Sequence, residues 1–276
     1  MERRLRIGVV PYLNAKPLVY GLEKRGQVEL IFDLPSVLPR LLEEGGVEVA
    51  LIPSIEYLRG KGYTALAGIC ISSKGPVESV RLFLKKPLNK LRSVALDEAS
   101  LTSAALTRII LKERYGLEPR YLSWRSGPRL EGVEADAVLV IGDNAIRVSD
   151  GLPSLDLGAE WQELTQLPFV YALWVATSAE RLERVSVLLQ EAKESGVQDL
   201  GVIALREAEK LGLRHEVCLR YLTERIHYSL GEQEIEGLER FYSYALKMGL
   251  APEGVRLEFS GRGHIREGAF KGAYKS

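Results

Sequence analysis

The arrangement of apolar segments constrains this chain more than any other feature of its sequence. Short apolar runs at residues 6–10, 47–52 and 137–141 are typical of buried strands, and segments of helical periodicity separate such runs. Strands that alternate with helices form βαβ units, because the helix returns the chain to the edge from which the next parallel strand starts. The pattern therefore predicts an α/β fold whose sheets are mostly parallel and flanked by helices.

Two such series follow one another, and a helical third completes the chain. Further strands are predicted at 28–32, 64–71, 80–84, 92–96, 119–123 and 169–176, with a short edge strand at 255–259. Residues 177–180 and 229–232 are typical of capping boxes ahead of helices, and 260–276 form a basic, glycine-rich tail. We therefore predict two lobes with a ligand cleft between them: residues 1–85 and 174–276 form lobe 1, and residues 86–173 form lobe 2.

The composition excludes several classes of protein. Of the 276 residues, 46% are hydrophobic and 27% are charged, which excludes disordered and fibrous chains. The 37 basic and 37 acidic residues give a formal net charge of zero, so no long-range field attracts nucleic acid or an anionic membrane. Cys70, Cys218 and three isolated histidines have no metal-ligand spacing, so we predict neither a disulfide framework nor a metal site.

The beginning of the sequence bears on location. Residues 7–10 are too short an apolar run for a secretory leader. No run approaches the about 20 apolar residues that a membrane span requires. We expect the mature protein to begin at Met1 and to remain in the cytoplasm, without a membrane or nucleic-acid partner.

The candidate functional residues lie in loops that follow predicted strands, because ligands of α/β proteins bind beyond the carboxyl ends of strands. They are Tyr12, Asn14, Ser54, Glu56, Ser72, Ser79, Ser100, Thr102, Ser103, Gly142 and Asp143. Each also has an ordinary structural interpretation. Asn14 and Ser54 are good helix N-caps, Glu56 complements a helix dipole, and Gly142 is typical of a turn.

The segment Ser100-Leu-Thr-Ser103 carries the most information among these loops. Three hydroxyls lie at the start of a predicted helix, where one would suffice as an N-cap. The unpaired N–H groups of a helix N-terminus and the helix dipole favour an anion. A carboxylate or phosphate site is therefore predicted at this segment.

Several segments together resemble the chorismate dehydratase family, which opens the futalosine branch of menaquinone biosynthesis. They are Val9-Val-Pro-Tyr-Leu-Asn-Ala-Lys-Pro-Leu18, Val49-Ala-Leu-Ile-Pro-Ser-Ile-Glu-Tyr-Leu58, Gly68-Ile-Cys-Ile-Ser72 with Gly75-Pro-Val-Glu-Ser-Val80, and residues 97–103. The resemblance covers about residues 5–250 and is specific only when the segments are taken together. It implies a two-lobed fold of the type II periplasmic-binding-protein kind and the loss of water from chorismate, which gives 3-[(1-carboxyvinyl)oxy]benzoate.

The resemblance also implies a reaction without a metal or redox cofactor. Conjugation acidifies the proton on the ether-bearing ring carbon, and the elimination needs a dry cleft with donors for the developing charge. We expect the Ser100–Ser103 helix start to bind one carboxylate of chorismate, and Ser54 with Ser79 to bind the other. The proton acceptor is either the substrate's enolpyruvyl carboxylate, with Asn14 holding the reacting groups in place, or the carboxylate of Glu56.

Two alternatives stay open. A sister family that forms 1,4-dihydroxy-6-naphthoate shares the fold but carries a histidine where this chain has Gly142, which favours the dehydratase. A non-catalytic protein that binds small anions is the other alternative, because a fold does not specify a function. The sequence gives no indication of the oligomeric state.

Overall fold

Residues 4–125, 127, 130–148 and 151–260 are described by the structure, a computed structural model. The strands are β1 (Leu5–Val9), β2 (Val28–Phe32), β3 (Val49–Pro53), β4 (Thr64–Ser73), β5 (Val80–Leu84), β6 (Ser93–Asp97), β7 (Arg120–Trp124), β8 (Ala137–Ile141), β9 (Ser154–Asp156), β10 (Phe169–Ala176) and β11 (Phe259–Ser260). The helices are α1 (Leu38–Glu43), α2 (Ser54–Tyr57), α3 (Leu101–Tyr115), α4 (Gly142–Arg147), α5 (Leu157–Thr165), α6 (Ala179–Gln198), α7 (Leu200–Leu211), α8 (His215–Arg220) and α9 (Glu232–Lys247). Short 3-10 segments span Leu13–Val19, Leu22–Lys24 and Leu88–Lys90, and a π-helical segment spans Tyr221–Arg225.

The strands form two mixed sheets. Sheet 1 has the order β11-β4-β10-β3-β1-β2, and sheet 2 has the order β7-β6-β8-β5-β9. Strands joined through helices pair in parallel, as Leu5 of β1 does beside Val28 of β2. Strands next to the connections between the sheets pair in antiparallel fashion. For example, β10 runs antiparallel to β3, with Ala172 beside Pro53. The predicted α/β fold is confirmed, with mixed sheets in place of mostly parallel ones.

The chain crosses from sheet 1 to sheet 2 between Ser73 and Val80 and returns between Asp156 and Phe169. Strand β5 belongs to sheet 2, where Val80 lies beside Ile141 of β8, and β10 belongs to sheet 1 over its whole length. The chain therefore passes from one sheet to the other at different points from the lobe boundaries expected at 85/86 and 173/174. The sequence of an apolar strand does not identify the sheet that the strand joins, because strand pairing depends on contacts between residues distant in sequence.

Helices of the C-terminal third cover sheet 1. Helix α6 packs against the segment Leu13–Val19 and against β4, and α9 packs against β10. Trp161 of α5 is fully buried, and its ring lies 5.2 Å from that of Phe169 and 6.1 Å from that of Phe241. The return connection, β10 and α9 therefore share one core. Within the described part of the chain, no helix combines the length and apolar character that crossing a bilayer requires.

Several local predictions differ from the observed helix and strand ends. Asn14 lies inside the first 3-10 segment instead of capping a helix, and Ser178 ahead of α6 makes no capping side-chain hydrogen bond. Helix α9 follows Gly231, whose N–H donates to the Glu234 carboxylate at 3.0 Å, so the predicted cap at Ser229 is two residues early. The edge strand is only Phe259–Ser260, and tail residues 261–276 lie outside the described residues.

Candidate active site

A cavity lies between the two sheets, beside the carboxyl ends of β1, β3 and β8 and the start of α3. Its volume is about 70 Å³, which is small beside the about 300–1,000 Å³ of typical ligand pockets. Apolar side chains such as Leu51, Ile71 and Ile141 form part of its wall. The position agrees with the rule that ligands of α/β proteins bind beyond strand carboxyl ends.

Most of the predicted site residues come together in this cavity. Those that line it are Tyr12, Asn14, Ser79, Ser100, Thr102, Ser103 and Gly142. Among the described residues that line it, none is Asp, Glu, His, Lys or Arg. Hydroxyl and amide groups are therefore the polar side-chain groups that the cavity offers to a ligand.

The start of α3 brings three hydroxyls to the cavity. Ser100 precedes the helix, and its side chain makes no capping hydrogen bond with the described residues. Thr102 Oγ1 accepts from the backbone N–H of Ile55 in α2 at 3.2 Å, which joins the two sides of the cavity. Since the Ser100 hydroxyl is not used as a cap and the dipole of α3 favours negative charge, this helix start suits an anion.

Gly142 begins α4 directly after β8, where a turn was expected. Its φ of +61° lies in the left-handed region, which glycine adopts without strain. Its N–H donates to the carbonyl of Ser79 at 2.8 Å. Gly142 thus fixes the end of β8 to the first connection between the sheets, next to Ser79.

Asp143 does not line the cavity. Its carboxylate accepts from the backbone N–H of Leu13 at 3.1 Å, and so links α4 to the first 3-10 segment across the two sheets. Burial raises the pKa of the Asp143 carboxyl, and the hydrogen bond from Leu13 opposes that rise. This contact gives Asp143 a role in holding the two sides together.

Three more predicted residues also lie outside the cavity lining. Ser54 Oγ donates to the Val170 carbonyl at 2.7 Å, and Ser72 Oγ donates to the His227 carbonyl at 3.4 Å. The buried Glu56 carboxylate forms ion pairs with Arg59 and Lys61. Because Glu56 lies in the first turn of α2, its side chain was expected to face the cleft. It instead points to Arg59 and Lys61.

Two tyrosines at this site are not among the residues predicted from the sequence. Tyr171 of β10 lines the cavity, and its hydroxyl lies 2.9 Å from Ser73 Oγ. Its place on a predicted strand that connects the two halves could have indicated it. The hydroxyl of Tyr221 donates to Ser79 Oγ at 2.8 Å across 142 residues of sequence. No local signal identifies Tyr221, because its own surroundings in the sequence are simply helical.

One carboxylate ties the two connections between the sheets. Asp156 accepts from the backbone N–H groups of Val77 at 3.0 Å and Glu78 at 2.7 Å in the first connection. It also accepts from those of Gly158 at 3.0 Å and Ala159 at 3.1 Å at the start of α5. The relative placement of the two sheets beside the cavity therefore depends on Asp156.

Other groups do not suggest a different centre. Within the described ranges, no three His, Cys, Asp or Glu residues lie together as a metal ion would need. Cys70 and Cys218 are buried free thiols, and burial raises the pKa of both, to about 12 for Cys70. A larger depression of about 700 Å³ beside β7, lined in part by Trp124 and Glu131, contains none of the predicted site residues.

Known proteins resemble this chain over most of its length. A family model described as menaquinone biosynthesis matches residues 5–247. The chorismate dehydratase of Thermus thermophilus is 34% identical over 267 residues, which cover 89% of this chain and 96% of that protein. The chorismate dehydratase of Campylobacter jejuni is 26% identical over 253 residues, with coverage of 88% and 99%.

A solved structure shows the same fold. The periplasmic aliphatic sulphonate binding protein SsuA from Escherichia coli superposes with a TM-score of 0.64 at 17% identity, covering 100% of this chain and 99% of that chain. At this identity the likeness concerns the fold alone. The fold is thus the two-lobed periplasmic-binding-protein fold, with the cavity between its two sheets.

Proposed function

The chain belongs to the menaquinone biosynthesis family, whose members include chorismate dehydratases, and we propose that it is a carbon–oxygen lyase that removes water from chorismate. The products are 3-[(1-carboxyvinyl)oxy]benzoate and water. The observation that carries the proposal is the cavity between the sheets, lined by serine, threonine and asparagine side chains at the start of α3 and after β1. The hydroxyl and amide groups of this lining can donate hydrogen bonds to a small dianion, and the cavity of about 70 Å³ has to widen to admit it.

The two carboxylates of chorismate need separate partners. The start of α3, with Ser100 and Ser103, receives one of them through hydroxyls, free N–H groups and the helix dipole. Ser79 receives the other from the first connection between the sheets. Ser54, expected to assist Ser79, instead donates to a backbone carbonyl, so it supports α2 and not the substrate.

The elimination can proceed with the substrate's own base. The enolpyruvyl carboxylate takes the proton from the ether-bearing ring carbon, and the electrons of that C–H bond form the third double bond of the ring. The C–O bond to the neighbouring hydroxyl breaks, and the hydroxide leaves as water with the proton that the enolpyruvyl carboxyl had taken. This assignment is supported by a lining that holds no Asp, Glu or His among the described residues.

Asn14 is proposed to hold the reacting groups in place. It follows β1 and lines the cavity, and its Oδ1 atom is buried without a partner among the described residues. A buried amide oxygen of this kind gains a hydrogen bond when a ligand supplies a donor. Glu56, the alternative base, pairs with Arg59 and Lys61 outside the lining and has no comparable access.

The cytoplasm is the proposed compartment for this reaction. Cys70 and Cys218 are both free thiols, which suits a reducing compartment. The substrate is a small molecule, and the proposal requires neither a membrane nor a nucleic acid.

Turnover of chorismate by the purified chain tests the proposal. We expect loss of chorismate, a new aromatic absorbance and a product lighter by one water, all faster than in a protein-free control and in Asn14→Ala. Binding of chorismate without turnover would favour a protein that only binds small anions. If the chain does not convert chorismate but forms 1,4-dihydroxy-6-naphthoate from its precursor, it catalyses the reaction of the sister family.

A further inference from the structure

A tyrosine from the C-terminal third of the chain reaches the cavity residues. Tyr221 begins the π-helical segment Tyr221–Arg225, and only 1% of its surface is exposed. Its hydroxyl donates to Ser79 Oγ at 2.8 Å, and the side chain of Asn14 lies near the phenol. One buried phenol thus contacts Ser79 of the first connection and lies near Asn14, which follows β1, and both residues line the cavity. Single π-helical turns are rare and are found disproportionately at functional sites.

The hydrogen bond of Tyr221 sets the polarity of the Ser79 hydroxyl. Near the phenol, Asn14 keeps its Oδ1 buried without a partner among the described residues, so this oxygen can accept from a ligand. Tyr221 uses its own hydrogen toward Ser79, so the single hydrogen of the Ser79 hydroxyl is left for another acceptor. Burial raises the pKa of Tyr221 far above its ordinary value, so the phenol keeps its proton at neutral pH.

Two ion pairs hold this segment on the first connection. Arg220 Nη2 lies 2.9 Å from Glu78 Oε2, and Arg225 Nε lies 2.7 Å from Glu78 Oε1. Glu78 has a φ of 61°, which is unusual for a residue with a side chain. Because Glu78 immediately precedes Ser79, the two arginines fix the backbone at the point where Tyr221 contacts the serine hydroxyl.

We infer that Tyr221 is a positioning residue for the proposed dehydration, because it orients the Ser79 hydroxyl as a hydrogen-bond donor toward a carboxylate of the substrate. The inference rests on the proposed function. A carboxylate only accepts hydrogen bonds. If the Ser79 hydroxyl rotated freely, it would point a lone pair instead of its hydrogen at the carboxylate in some orientations, and no hydrogen bond would form. Tyr221 occupies that lone pair and leaves the hydrogen for the ligand.

A double-mutant cycle of Tyr221→Phe and Ser79→Ala, measured as turnover of chorismate, tests this inference. Tyr221→Phe keeps the ring and removes only the hydroxyl. We expect it to lower kcat/KM about tenfold, mainly by raising KM, as loss of one oriented hydrogen bond to a charged group does. In the Ser79→Ala background the same change should alter kcat/KM by less than about twofold, because the serine through which Tyr221 acts is gone.

Tyr228→Phe is the matched control. Its hydroxyl is also buried, and it has no hydrogen-bond partner among the described residues. It should therefore keep the turnover of the wild type, and its melting temperature shows what loss of a buried phenol hydroxyl does to folding. Equal kcat/KM for Tyr221→Phe and the wild type would overturn the inference about Tyr221. Additive effects of Tyr221→Phe and Ser79→Ala would also overturn it. Neither result would affect the proposed function.

The wild-type protein separates this inference from the proposed function. If the wild type binds the benzoate product but does not turn over chorismate, the proposed function fails. The same cycle measured as the dissociation constant of that product then decides the role of Tyr221. A wild type that neither converts chorismate nor binds the product contradicts both.

Discussion

Gly142 lies so close to the ring of Tyr12 that a Cβ atom on residue 142 would stand 2.9 Å from Tyr12 Cδ1. Gly142 begins a helix attached to sheet 2, whereas Tyr12 follows the first strand of sheet 1, so this contact spans the cavity. The φ of +61° at residue 142 adds a second reason for glycine. Together they leave no room for any side chain at this position while the two sides are this close.

Gly142→Ala should therefore reduce turnover of chorismate by about tenfold or more, because a misplaced Tyr12 disturbs the geometry of the reacting groups. The left-handed backbone alone should cost about 1–2 kcal/mol of stability. Gly21→Ala is the control, since Gly21 has a φ of +76° but no described atom within 4 Å of its Cβ position. Steady-state kinetics and urea unfolding of both variants check this. Equal turnover in the two variants would contradict it.

Asn14→Ala and Glu56→Gln should behave differently. The first should lower kcat about 100-fold through loss of positioning. Glu56→Gln should retain turnover close to that of the wild type, because Glu56 pairs with Arg59 and Lys61 and does not line the cavity. Its stability can fall slightly, as the ion pairs are lost. Kinetics at saturating chorismate measure the difference, and a strong loss of kcat in Glu56→Gln would restore that carboxylate as the base.

Gly158→Ala tests the close approach of the two connections between the sheets. A Cβ at residue 158 would lie 2.5 Å from the Gly75 carbonyl oxygen and 2.8 Å from Ser73 Oγ. Overpacking of this kind costs about 1–3 kcal/mol, so the melting temperature should fall. Gly201→Ala in α7 has no described atom within 4 Å of its Cβ position and should be neutral or stabilising, since alanine favours a helix. Calorimetry measures the melting temperatures of both variants. Equal melting temperatures would contradict the close contact of residue 158 with Gly75 and Ser73.

Asp136→Asn should destabilise the protein in a pH-dependent way. The Lys86 ammonium and the backbone N–H groups of Arg92 and Ser93 lower the pKa of Asp136 to about 2. A lowered pKa means that the contribution to stability is complete above the ordinary value of about 4 and is lost as the pH falls toward the folded value. The difference in unfolding midpoint between wild type and variant should thus be constant from neutral pH to about 4.5 and shrink below it. An unchanged difference at the lowest accessible pH would argue against this. The control is Glu29→Gln, at an exposed position of the edge strand β2.

Many of the residues that line the cavity could be predicted, because loops that follow strands gather at the carboxyl ends of the sheets. Tyr12, Asn14, Ser79, the hydroxyls of Ser100, Thr102 and Ser103, and Gly142 all line the cavity for this reason. Glu56 and Ser54 follow β3 in the same manner, yet the short helix α2 turns their side chains to local partners. A position in a loop predicts nearness to the cleft but not the direction of a side chain.

The sequence by itself determined the α/β character, most of the strands, and the loops from which a cleft could be built, because periodicity and turn residues act over short distances. The tertiary structure alone decided that β5 joins sheet 2, that Asp143 reaches Leu13, and that Tyr221 reaches Ser79. Each of these contacts joins segments far apart in the chain. Their partners are selected by the packing of the whole fold, which no local pattern encodes.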